Sequence, residues 1–468
     1  MRNSIQQPVC GTRTQRSRAG AMALTLLIFY LFVMFGLIVI SIDLGYILQT
    51  RTQLQAIADA TTLSGGTELK SGLGDDPESP ATVVAAGSLI AVEYAAKHRN
   101  GDQYPTYINA ERDVHFGWAK YDTEATPPGW VMNWDQELPG IGGYNLIGTI
   151  IRRDQVDSTN GDGPLPLLFA PLLGKDFNNI TADAAAVIMP ASGIRIPPGS
   201  PTTSNVIPFA IDEYLWFKYL RAQAVYKENG GAYPVPFQSV RDTVPNYNGI
   251  LEPLFGHVDD DGNDAFFIDD DDVPYPDYMD RWNCGCVADD ADSGPPMSAA
   301  IAGGDGILEV DIYPHKTASG NFGTIDIGTN ANETRTLGEQ IEFGVTEVDL
   351  SYHTNNEIQI PGTVTGETGI SVGIKGNLDA IVGQCRTVLL FDVVSGTGNT
   401  AVFDLVGMAG VRIMDSKLTG SAGDGGGEVK YKHISIQRCN ATLSGGTGDY
   451  EDPPGEHTTV FTPLILIE

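Results

Sequence analysis

Residues 259–280 carry ten aspartates and no lysine or arginine. Within them Asp259, Asp261 and Asp264, with Gly262 between, have the pattern of a short calcium loop. Hard carboxylate oxygens suit a hard cation, and the glycine permits the sharp turn that wraps it. A full twelve-residue calcium loop also needs an acid at its last position. Counted from His257 that position is Ile268, so the longer motif fails. Asp269 to Asp272 could add oxygens only if Phe266-Phe267 folds back. The competing reading is a solvated acidic loop, and the failed register favours it. Calcium is the one cofactor the sequence raises, at a candidate metal site of Asp259, Asp261 and Asp264.

Other chemistry is poorly signalled. The seven histidines are scattered, with no His-Glu-x-x-His pair for zinc. There is no Gly-x-Ser-x-Gly elbow and no phosphate loop ending in Gly-Lys-Ser/Thr. Carboxylate pairs are plentiful, but in so acidic a chain their spacing carries little information. The sequence predicts no catalytic residues and no enzyme. Five cysteines occur. Cys10 lies before the apolar segment described below, and Cys284, Cys286, Cys385 and Cys439 lie after it, where oxidation is permitted if that side is outside the cell. A Cys284–Cys286 ring would be strained, so each is expected to pair with Cys385 or Cys439, or to stay free.

Charge narrows the partners. The formal net charge is −31, and residues 1–18 hold Arg2, Arg13, Arg16 and Arg18 with no acid. With four of the 28 basic residues in that tail, the remaining chain carries −35. Such a body repels phosphate backbones and anionic lipid surfaces, which argues against nucleic acid as a partner.

The elements that could position any function begin with the run AGAMALTLLIFYLFVMFGLIVISI. It places 24 uncharged residues between Arg18 and Asp43. As a helix these span roughly 36 Å at 1.5 Å per residue, against a hydrocarbon core of about 30 Å. A cleaved signal peptide has a shorter apolar stretch and a small-residue cleavage site, whereas Asp43-Leu44-Gly45-Tyr46 follows here. The arginines before the run predict an N-terminus in the cytoplasm and a C-terminal body outside. The helix should continue beyond the membrane. Leu44, Ile47, Leu48, Leu54, Ile57 and Ala58 recur at helical spacings, and no proline occurs between Pro8 and Pro77. The expected rod runs from about Ala19 to Leu63 and stops at Ser64-Gly65-Gly66. Its outer stripe faces either the protein's own body or a neighbouring helix in an assembly, and the first is the simpler partner.

These residues resemble a family. Arg18-Ala19-Gly20-Ala21, the long apolar helix, Ile42-Asp43-Leu44-Gly45-Tyr46 with its Asp-x-Gly turn, and Thr52-Gln53-Leu54-Gln55-Ala56-Ile57-Ala58-Asp59-Ala60 are similar to the N-terminal segment of bacterial Flp pilus-assembly TadE/TadG-like proteins. The resemblance covers about residues 16–66, and extends more weakly through Ile147–Arg153, Pro164–Ala170 and Leu173-Gly174-Lys175 toward longer TadG-like proteins. The family's alanine-rich continuation is here Thr61-Thr62-Leu63-Ser64. The resemblance implies a membrane-anchored component of a tight-adherence pilus or secretion apparatus. Pseudopilins of this kind resemble type IV prepilins, with glycine before the cut and glutamate fifth after it. Counted from Gly20 the fifth residue is Thr25, so a permanently anchored factor is expected rather than a processed fibre subunit.

The rest of the chain reads as α+β in two exoplasmic parts. The expected organisation is a cytoplasmic basic tail (1–18), a transmembrane helix (19–42), its exoplasmic extension (43–66), a pilin-like α+β domain (67–190), a proline-rich linker (191–204) and a second β-rich α+β domain (205–468) with an acidic insertion at about 251–292. In the first domain a helix is predicted over 81–97, with Val84, Leu89, Val92 and Ala95 on one side. Strands are predicted around 114–118, 130–134, 144–152 and 179–189, and one or two helical turns over 166–173. In the second, a buried helix is predicted over 212–225 and short helices over 337–343 and 372–382. Strands are predicted over 308–313, 386–394, 401–406, 410–414 and 429–437. The functional expectation is a single-pass bacterial inner-membrane protein, a non-catalytic structural or assembly component of a Flp-type apparatus. Its expected partners are other apparatus proteins or further copies of itself. The alternative is a membrane-tethered exoplasmic binding protein, calcium-dependent or not, unrelated to pili.

Overall fold

The computed structural model describes residues 14–74, 77–213, 334–367, 370–418, 433–448 and 458–467, with shorter pieces between 215 and 328. One helix, α1 (Thr14–Gly66), runs unbroken for 53 residues. It contains no proline to remove a hydrogen bond. It runs through Asp43-Leu44-Gly45 without a break, as expected of a rod from Ala19 to Leu63.

Helix α2 (Pro80–Ala95) starts on a Ser79 cap, whose hydroxyl accepts the Thr82 N–H, with Pro80 at the first helical position. Its most buried residues are Val83, Gly87, Ala91 and Ala95. Of the predicted row, Ala95 is buried and Val84 and Val92 pack against the same core, while Leu89 is exposed. Small residues win at the centre because α1 comes close. A Cβ on Gly87 would lie 3.0 Å from the Gly65 carbonyl oxygen, and one on Gly65 would meet the Gly87 carbonyl at 2.9 Å. The apolar period alone gives no weight to glycine, so the predicted face is rotated from the observed one and not opposite to it.

Both helices pack on a sheet built from β1 (Val114–Asp122), β2 (Gly129–Trp134), β3 (Leu146–Arg153) and β6 (Ile180–Val187), with a small hairpin of β4 (Leu165–Pro166) and β5 (Phe177–Asn178) between β3 and β6. The sheet order is β2-β1-β3-β6 followed by the C-terminal strand Ile465–Ile467, every pair antiparallel. The last strand of the chain therefore completes the first sheet. Leu54, Ile57 and Ala58 of α1, Ala91 and Ala95 of α2, and Phe116, Ile147, Ile151 and Ala186 of the sheet form one core.

Beyond Pro190 the chain enters a larger mixed sheet. Val206–Asp212 lies parallel to Cys385–Ser395, which pairs antiparallel with the long strand Val402–Lys417. The two strands expected over 401–414 are thus one strand of 16 residues. Gly407, in the gap between the two predicted strands, and Gly410 lie inside it and pair with Leu390 and Thr387. His433–Arg438 and Glu309–Tyr313 extend the sheet. The described residues between 213 and 223 are helical and send Leu215, Trp216, Tyr219 and Leu220 into its core. Helix Thr334–Phe343 and the shorter Lys375–Ala380 cover the same core. The architecture is a long apolar helix followed by α+β structure, as predicted.

Candidate functional site: the anchor helix and its socket

Helix α1 has two environments. From Met22 to Ile38 its large apolar side chains are exposed, with Phe32 at 77% and Leu31 at 57%. It is the one helix among the described residues long and apolar enough to cross a membrane. From Asp43 onward the same helix sinks into the body. Leu54 and Ala58 are fully buried, and Tyr46, Ile47 and Leu63 pack at the margin of the core. The stripe deduced from spacing thus faces the protein's own fold over most of its length. Leu44 and Leu48 remain exposed at 53% and 55%.

The boundary between the two environments is held by Asp43, which is 5% exposed. Its Oδ1 accepts the Leu168 N–H at 2.9 Å, its two oxygens share the Phe169 N–H at 3.2 and 3.1 Å, and Oδ2 accepts the Ala170 N–H. These donors open the turn Ala170–Leu173, whose first N–H groups have no partner within the turn. A carboxylate satisfies them well because hydrogen bonds to an ionised acceptor are the stronger kind. The acid after the apolar run therefore acts as a clasp on a segment more than a hundred residues away.

Further along, polar residues of α1 fix its height and rotation. Gln53 Oε1 accepts the Gly101 N–H at 3.0 Å. Gln55 Nε2 donates to the Asp183 carbonyl of β6 at 3.0 Å and to Asp59 at 2.8 Å. Thr62 and Thr149 share a buried hydroxyl hydrogen bond of 2.6 Å, and Thr149 also donates to the Ala58 carbonyl at 3.2 Å. Thr62, one of the two threonines standing where the family has an alanine-rich run, thus serves a partner on β3.

A charge network braces the end of the sheet next to α1. Arg153 is 1% exposed. Its guanidinium donates to the Gly163 carbonyl at 2.7 Å and to Asn100, and pairs with Asp102 at 2.8 Å. This ties β3 to the loop that contacts Gln53. Asp113 accepts from Arg112 and Arg152, each at 2.7 Å, and Arg112 reaches Asp162 at 2.8 Å. Burial alone would raise the Asp113 carboxyl. Hydrogen bonds from Arg112, the Asn109 N–H and Arg152 outweigh it and hold the group below the usual carboxylate range. Burial, followed by the charge of Asp102, pushes the Tyr46 phenol above its ordinary value.

The sequence-predicted metal residues Asp259, Asp261 and Asp264 lie outside the described residues, as does Cys284. Among the described residues no cluster of three histidine, cysteine or acidic side chains could hold a metal. Cys385 is bonded to Cys439, with Cα atoms 6.2 Å apart. Of the expected alternatives for Cys284 and Cys286, pairing with these two cysteines is thereby excluded. Cys385 opens one strand flanking Val402–Lys417 and Cys439 directly follows the other. The chain after His433–Arg438 crosses that strand at Gly410, where any side chain would strike the Cys439 carbonyl. Nothing in the cysteine spacing reveals that crossing.

This placement, an apolar exposed half and a clasped polar half on one helix, coincides with the segment that the comparisons recognise. Residues 20–68 match the family model of Flp pilus-assembly TadE/G-like proteins. The match covers nearly all of α1 and supports a role related to Flp pilus assembly. No curated protein and no solved structure matches the chain. Within the matched segment, the Asp43 clasp, the two glutamines and the Thr62 contact join the helix to the body, all on its docked half.

Proposed function

We propose that this chain is a membrane-anchored, non-catalytic structural component of a bacterial Flp-type pilus or related secretion apparatus. The observation that carries the reading is the coincidence of the TadE/G-like match over 20–68 with a helix that is exposed and apolar at one end and built into the body at the other. In this reading α1 crosses the inner membrane once. The arginine-rich tail stays in the cytoplasm and the acidic body stands on the outer side, as the charge asymmetry favours. The rigid joint between helix and body lets force or position pass from one to the other without a hinge. Leu44 and Leu48, outside the uncharged run and uncovered by the body, suit a helix of a neighbouring apparatus subunit or of a second copy.

Co-purification tests this. The full chain, cross-linked in native membranes and solubilised, should bring down the assembly ATPase or the pore and platform proteins of a Flp-type system. Recovery of the chain free of them, alongside a soluble or surface ligand, would contradict the proposal and favour a tethered binding protein.

A further inference from the structure

The hairpin that receives Asp43 has a second consequence. Leu165, at its base, converges with Thr50 on Gly101: a Cβ there would lie 3.0 Å from Leu165 Cδ1 and 3.2 Å from Thr50 Cγ2. Three residues later, Leu168 donates its N–H to Asp43. Three residues of extended chain cover about 10 Å. The seven helical residues from Thr50 back to Asp43 cover about 10.5 Å. The chain from Leu165 therefore descends beside α1 toward its apolar half. The turn Ala170–Leu173 follows and also contacts α1. One helical turn below Asp43, Val39 is only 6% exposed, while Ile38 and Ile40 are 51% and 52% exposed. The body thus reaches past Asp43 into the uncharged run.

The descending hairpin presents large apolar side chains outward. Leu168 is 61% exposed, Leu172 76% and Phe177 58%. The only charges between Leu165 and Asn178 are Lys175 and Asp176. A single exposed apolar residue needs no explanation, but Leu168 and Leu172 together on the tip next to a lipid-facing helix do, whereas Phe177 sits higher, opposite Pro166 near the hairpin base. A centred hydrocarbon core of about 30 Å ends near residue 40, so this tip lies where acyl chains meet headgroups. Aliphatic groups backed by a lysine that can reach a phosphate suit that zone.

We infer that the tip of the hairpin, from Leu168 to Lys175, is a second membrane contact, with Leu168 and Leu172 inserted at the acyl–headgroup boundary beside α1. It rests on the reading that α1 spans the bilayer. Its occupant is lipid, and its effect is to fix the tilt and height of the body over the membrane, which one helix alone leaves free.

The test is nitroxide labelling of the full chain in phosphatidylethanolamine–phosphatidylglycerol vesicles, with Cys10, Cys284 and Cys286 replaced by serine. Labels are placed at Leu172→Cys and, separately, Leu168→Cys, with Leu31→Cys as the lipid reference and Glu124→Cys as the aqueous one. Labels at 172 and 168 should collide more with oxygen than with a water-soluble nickel chelate, as at 31, with the opposite order at 124. If either 172 or 168 behaves like 124 while 31 stays lipid-like, the inference is overturned and the spanning helix survives. If 31 is also water-like, the spanning reading fails and the inference fails with it.

Discussion

Asp43 and Phe169 are 126 residues apart, yet both carboxylate oxygens of the first accept the backbone N–H of the second. This contact joins the helix to the body at the level where the apolar run ends. Replacing Asp43 with alanine leaves the N–H groups of residues 168–170 unsatisfied at a largely buried site. The expected loss is about 1–3 kcal/mol, from the cost of orphaned buried donors. Asp43→Asn keeps an acceptor and should cost less. Thermal unfolding in detergent, with the two variants ranked against the parent, checks the order.

The Thr62–Thr149 pair predicts non-additivity. Thr62→Val and Thr149→Val each remove the shared hydroxyl bond while the surviving hydroxyl keeps a carbonyl acceptor, Ala58 for Thr149 and Ala184 for Thr62, at about 1 kcal/mol apiece. The double variant should cost clearly less than their sum. A double-mutant cycle by denaturant unfolding measures the coupling, and strict additivity would show that the 2.6 Å contact is not energetically real.

Acid should loosen the sheet end beside α1. The Asp113 carboxyl is lowered in the folded state despite burial, because Arg112, the Asn109 N–H and Arg152 favour its ionised form. Its contribution is therefore complete above the unfolded value of about 3.9 and is lost as pH falls through the depressed folded value. Unfolding midpoints followed from pH 7 to below 3 should fall in the acid range. Asp113→Asn should flatten that part of the profile while lowering stability at pH 7.

The Cys385–Cys439 bond closes a 54-residue separation. Constraint of the unfolded chain over such a loop contributes on the order of 2–4 kcal/mol. Non-reduced peptide mapping should recover the 385–439 pair, and reduction should lower the unfolding temperature by that measure. A peptide linking Cys439 to Cys284 or Cys286 would contradict the pairing.

Much of this was legible in the residues. An uncharged run of 24, a proline-free continuation and a repeating apolar stripe specify one long helix, because each is a direct requirement of helix geometry or of lipid. Four of the five strands of the first sheet are legible within a few residues, and the fifth, Ile465–Ile467, is not, because it is short and comes from the far end of the chain. The socket was not legible. The role of Asp43 was hidden because its partners are backbone N–H groups of a distant hairpin, which leave no side-chain signature. The centre of the inward face of α2 was hidden because Gly87 packs by lacking a side chain. The disulfide depended on a crossing over Gly410 that spacing cannot encode. Long-range contacts of this kind are set by topology, and the sequence pattern carries only the local period.

The central claim is that α1 is a permanent anchor and not the stem of a processed subunit. Thr25 stands where a prepilin would carry its glutamate, and the helix is clasped to the body by Asp43, Gln53 and Thr62. Intact mass spectrometry of the protein isolated from membranes of cells with an active prepilin peptidase tests it most directly. The account predicts a mass that retains residues on the N-terminal side of Ala21. A mature chain beginning at Ala21 would contradict it.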